Sequence, residues 1–94
     1  MSALTVAQYQ AQMEEDHKVL WTAAVTQTPL DFQYTMRDYL KRRLARLPYL
    51  ILSTVEQGKV VRDEAEDLRS SIALCDRLIT LMRCATAPGS GVIH

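Results

Sequence analysis

An all-α fold, a small bundle of three to four helices, is predicted by three features of this 94-residue sequence. Apolar side chains recur in steps of three and four through three long segments. Helix-start signals stand ahead of two of those segments. Glycine and proline are almost absent from residues 1–84: of three Gly and three Pro, two Gly and one Pro fall in the last seven positions. An all-β chain needs a turn every few residues, and residues 1–84 do not have the breakers to make them. Hydrophobic residues at 48% and charged residues at 23% match an ordinary globular domain. The length fits one domain, placed at residues 1–84, with a flexible tail at residues 85–94 that carries Pro88, Gly89 and Gly91.

The first helix is expected over about residues 5–25. Thr5 and Gln8 stand three apart, as in a capping box, where the hydroxyl takes an early helical amide and the Gln side chain returns to the cap amide. Val6, Tyr9, Met13, Leu20, Trp21 and Ala24 draw an apolar stripe, and His17 shares its face. Pro29, which has no amide to donate and pushes Thr28 out of the α region, ends that helix.

The second helix is predicted over residues 29–47, with Thr28 as N-cap, Pro29 in the first helical position and Asp31 in the first turn beside the positive end of the macrodipole. Its stripe is Phe32, Met36, Leu40, Leu44, Leu47 and Ile51. Pro48 interrupts the periodicity and predicts a kink or short break there. A further short helix is expected over residues 48–57, with Gly58 as its C-terminal cap.

The last helix is placed at residues 60–84. Val61, Ala65, Leu68, Ile72, Cys75, Ile79 and Met82 alternate steps of four and three, a heptad seam. Leu74, Leu78 and Leu81 widen the apolar surface, which predicts packing against more than one neighbour. Acidic residues gather at its start (Asp63, Glu64, Glu66, Asp67) and Arg77 and Arg83 near its end, as the macrodipole prefers.

Composition narrows the function classes. Eleven basic and eleven acidic residues give zero net charge, so no global field draws the chain to nucleic acid or an anionic surface. Arg37, Lys41, Arg42, Arg43 and Arg46 crowd ten residues of the second helix, but they wrap it and are not confined to one face. No aromatic platform is interleaved with them, which disfavours a nucleic-acid partner. Arginines at the edges of the core stripe are expected instead to reach the carboxylates at residues 14–16 and 63–67. His17 has no second ligand at metal-binding spacing, so no metal and no cofactor are expected. Neither a Ser–His–carboxylate grouping nor a phosphate-cradling loop is present, and the chain reads as no enzyme.

Cys75 and Cys84, nine positions apart on one helix, lie about 13 Å apart along its axis, beyond the about 7 Å limit for a disulfide. Reduced thiols suit a reducing intracellular compartment, cytoplasm or nucleus. The N-terminus lacks the basic and apolar regions of a secretory leader, and no apolar run is long enough to span a membrane.

Interaction with other protein subunits, in a hetero-oligomer or a homo-oligomer, remains as the work of this chain. Trp21, Tyr39, Arg42, Arg43, Arg46, Tyr49 and Leu50 are the candidate partner-binding residues, since aromatic and arginine side chains concentrate at interface cores and Tyr34, Tyr39, Tyr49 and Leu50 broaden the apolar surface beyond one stripe. Two alternatives stand beside an interaction subunit: a small helical chaperone or adaptor that holds an amphipathic helix of a client, and a helical nucleic-acid-binding module using residues 37–46.

The stretch from Tyr34 to Leu47, with Tyr39-Leu40 followed by Arg43-Leu44 and Arg46-Leu47, resembles the helical A domain of GINS replication-complex subunits. The resemblance covers about 14 residues and implies an all-α subunit of a hetero-oligomer supporting the replicative helicase, without catalysis of its own. The small β-rich B domain of that family has no counterpart here.

Overall fold

The protein is described by a computed structural model over residues 3–86; residues 87–94, most of the expected tail, lie outside the described residues. Three helices carry the chain: α1 (Val6–Thr26), α2 (Pro29–Arg46) and α3 (Val55–Thr86), with a 3-10 turn at Leu47–Tyr49 between the second and third. The molecule measures 57 × 25 × 20 Å, its long axis matching the 32 residues of α3, about 48 Å of helix.

Local chemistry sets each start. Thr5 closes a capping box on α1: its Oγ1 accepts from the Gln8 amide at 3.1 Å and its own amide donates to Gln8 Oε1 at 2.9 Å. Thr28 caps α2, accepting from the Asp31 amide at 3.2 Å, with Pro29 in the first turn. Only Gln27 and Thr28 separate α1 from α2, so the two form an antiparallel hairpin. The Thr35 hydroxyl donates to Gln27 Oε1 at 2.7 Å across that corner.

Pro48 produces a break. The second helix stops at Arg46, one residue short of the expected end, because Pro48 cannot donate to Leu44 and its ring obstructs the preceding turn. Residues 48–57 do not form the helix expected of them. Leu50 runs parallel to Leu4 in a single β-bridge, with the Leu4 amide bonding Tyr49 O and the Ile51 amide bonding Leu4 O, both at 2.7 Å. This bridge ties the entry to α1 against the exit from α2.

α3 starts five residues earlier than expected, and Gly58 lies inside it, not at a helix end. Thr54 supplies the cap: its Oγ1 accepts from the Gln57 amide at 3.1 Å while Gln57 Oε1 takes the Ser53 amide at 2.7 Å. No carbonyl before Gly58 needs a left-handed residue, since the helix simply continues through it.

The core is small: Tyr9, Tyr39, Leu40, Leu47, Leu68 and Cys75 form one buried cluster, with Met13, Leu20, Met36, Leu44, Leu50, Val61, Ala65 and Ile72 packed against it. The seam predicted on α3 therefore faces the stripe predicted on α2. α2 is the central element; α1 and α3 each pack along it and scarcely touch one another.

Candidate partner-docking surface

Three arginines of α2, Arg37, Arg43 and Arg46, turn toward the neighbouring helices, while Lys41 and Arg42 stay exposed. Arg43 is 19% exposed at its side chain and meets all three helices. It forms an ion pair with Glu64 of α3, donates to Tyr9 Oη of α1 at 3.5 Å, and donates to Tyr39 Oη on its own helix at 3.4 Å. Burial alone would weaken its charge, but the Tyr9 hydrogen bond and the fields of Tyr39, Tyr9 and Glu64 outweigh it and raise the guanidinium pKa. His17 stacks on Tyr39 with ring centroids 5.3 Å apart, and its Nε2 lies 3.2 Å from Tyr39 Oη.

Asp16 draws in two further arginines: Arg46 at 2.7 Å and Arg42 at 3.7 Å. Arg37 pairs with Asp76 of α3 at 2.7 Å and lies over the Tyr34 ring at 5.1 Å; the Asp76 hydrogen bond raises its pKa against the cost of burial. The carboxylates at residues 14–16 and 63–67 thus receive arginines of α2, as the sequence suggested. These guanidinium groups join helix to helix and do not form an open row for phosphates.

Among the candidate partner-binding residues, Tyr39 is moved out of that role. It is 2% exposed, wedged between His17 and Arg43, because its face of α2 is the one α1 covers. Arg43 and Arg46 serve the helix contacts just described, and Leu50 is half-buried beside its bridge to Leu4. Arg42 stays nearly half exposed and Tyr49 is 39% exposed.

Trp21 is 73% exposed, with Val19 and Val25 on the same helix also open to solvent. Leu74 and Leu81 are 54% and 65% exposed, so the surface that predicted a second neighbour for α3 has none among the described residues. Sequence reasoning singled out Trp21 but passed over Leu74 and Leu81 as docking residues; their place beside the heptad seam, each one residue before a seam position, was the available signal.

Two apolar concavities lie between the helices. A groove of about 600 Å³ runs between the N-terminal halves of α1 and α3, lined by Val6, Tyr9, Met13, Leu50, Leu52 and Val60 among others. A smaller one of about 290 Å³ lies where Trp21, Leu20 and Ala24 of α1 approach Phe32 of α2. Among the described residues no group of His, Cys, Asp and Glu is arranged to hold a metal ion, and no helix is long and apolar enough to cross a membrane. Comparison with protein-family models, curated proteins and solved structures gives no match.

Proposed function

We propose that this chain is a non-enzymatic interaction subunit of a larger assembly. The observation that carries the reading is the mismatch between a small core and large apolar side chains left in water on α1 and α3, above all Trp21, Val25, Leu74 and Leu81. Scattered exposed leucines are ordinary, but a tryptophan and two leucines left open to solvent on so short a chain supply side chains of the kind that interface cores use. The side chains that chemistry would recruit, His17, Tyr39, Arg43 and Glu64, are already engaged in joining helices.

The resemblance to the helical A domain of GINS subunits supports an assembly of that kind, in which helices are the contact elements. In this chain the residues of the shared pattern, Tyr39, Leu40, Arg43 and Leu44, form the inner side of α2, where a helical scaffold would need them.

The test is isolation of the tagged chain from its native source under gentle conditions, with the stoichiometry of what accompanies it. Stoichiometric recovery with replication-fork subunits supports the GINS-like form of the reading. Recovery of one unrelated partner keeps the interaction role and removes that form. A chain that elutes alone at every concentration tried overturns both.

A further inference from the structure

The groove between the N-terminal halves of α1 and α3 follows from how the chain is tied at that end. The bridge between Leu4 and Leu50 holds the entry to α1 beside the segment that leaves Pro48, and α3 starts soon after it, at Val55. Both helices therefore begin at one end of the molecule, yet each packs along α2 and they scarcely touch one another. The space left between them is lined by Val6 and Met13 of α1, Val60 and Val61 of α3, and Leu50 and Leu52 of the connecting segment.

Part of this lining belongs to the core and part to the surface. Met13, Leu50 and Val61 pack against the buried cluster, whereas Val6, Leu52 and Val60 are exposed, Val60 at 66%. An apolar side chain that enters such a concavity is covered from several sides and releases more water than one laid on a convex helix. At about 600 Å³ the groove has the size of an ordinary ligand pocket. Its charges have one sign. Glu56 and Glu64 line it, and no basic side chain among the described residues does. Glu64 is engaged by Arg43, while Glu56 has no ion pair among the described residues.

We infer that the groove receives a short apolar segment of a partner protein, with a lysine or arginine beside its apolar side chains that meets Glu56. The apolar side chains displace water from Val6, Leu52 and Val60, and the cation answers the unpaired carboxylate. This chain does not supply the occupant. From Glu64 to Thr86 the last helix runs about 33 Å, and the eight residues that follow span at most about 29 Å when fully extended. A second copy that pairs through the same face sets carboxylates against carboxylates. The inference rests on the interaction-subunit reading and gives it one surface and the chemistry of its partner.

The test is selection of phage-displayed random peptides on the folded chain. The expected consensus places apolar residues beside a lysine or arginine. A synthetic peptide of that consensus shifts the methyl resonances of Val6, Met13, Leu52 and Val60 and leaves the indole of Trp21 unmoved. Its binding, read by fluorescence anisotropy, weakens about tenfold or more when Leu52→Gln and Val60→Gln are combined. It is unchanged when Leu74→Gln and Leu81→Gln, two exposed positions outside the groove, are combined. Glu56→Lys weakens binding, and a peptide with glutamate in place of its basic residue restores it. Far-ultraviolet circular dichroism establishes that each variant is folded.

No enrichment, a consensus without a basic residue, or equal binding by the Leu52 and Val60 double variant overturns the inference. So does sedimentation showing a dimer that this double variant dissociates, since the occupant is then a second copy. A failed selection beside stoichiometric native recovery removes this groove and leaves the interaction role; failure of both removes both.

Discussion

Arg43 is the side chain in which the three helices meet, and its partners are half-buried or buried oxygens on α1, α2 and α3. Arg43→Met keeps most of the packing volume but leaves Glu64, Tyr9 and Tyr39 without their donor. The expected loss is about 1.5–3 kcal/mol, the range for hydrogen bonds to charged groups, read by urea denaturation. A double-mutant cycle with Glu64→Gln then gives the part that belongs to the ion pair. The two thiols make a second comparison at this scale. Burial, with Asp76 adding and Arg37 opposing, pushes the Cys75 thiol above its ordinary value. A raised thiol pKa means the folded state holds the proton more tightly. Its contribution to stability is complete below the ordinary thiol range and is lost as pH rises through the raised value. Iodoacetamide at pH 8 is expected to modify the exposed Cys84 rapidly and Cys75 only at the rate of unfolding, as peptide mapping by mass spectrometry measures.

At the scale of elements, two of the three long helices began within a residue of where the sequence placed them, and the third did not. The capping box at Thr5 and Gln8 and the Thr28-Pro29 signal placed α1 and α2 because they act on adjacent backbone groups and need no tertiary information. The start of α3 was misplaced although Thr54 and Gln57 repeat the spacing of Thr5 and Gln8. Gly58 was weighed as a stop, whereas an interior glycine is merely a costly helical residue. An alanine there would meet nothing within 4 Å, so Gly58→Ala is expected to stabilise by about 0.5–1 kcal/mol, and Thr54→Ala to destabilise by about 1 kcal/mol. Thermal unfolding of the two variants, raised in one and lowered in the other, checks the boundary. The β-bridge at Leu4 and Leu50 had no sequence signal, because it joins residues 46 positions apart that only the break at Pro48 brings together.

For the whole molecule, the same periodicities that located the helices also located the core, since Leu40, Leu68, Cys75 and Ile79 are buried where their seams predict. The candidate surface was less legible. Trp21 belonged to the stripe of the first helix and Tyr39 lay beside that of the second, yet Tyr39 is 2% exposed and Trp21 73%, because α1 covers the Tyr39 face of α2 while nothing among the described residues covers Trp21. The radius of gyration, 16.7 Å, exceeds the about 12 Å of a compact chain this long, so little of the surface lies far from solvent. In so thin a body each central residue counts. Leu40→Ala is expected to cost about 2–5 kcal/mol, a large share of the stability of a domain this size, and an unchanged denaturation midpoint would remove Leu40 from the core.

Because α1 and α3 are joined almost entirely through α2, the molecule is two hairpins that share a strut. Separating α1 exposes Tyr9 and Tyr39 but leaves the seam between α2 and α3 intact; separating α3 exposes both Leu68 and Leu40 and dismantles the larger contact. The amides of the molecule are therefore expected to exchange with deuterium in a graded order, the C-terminal half of α1 first and the middle of α2 last, at the rate of global unfolding. The shared strut makes partial opening a property of the architecture, with α1 able to swing away while the remaining pair stays folded.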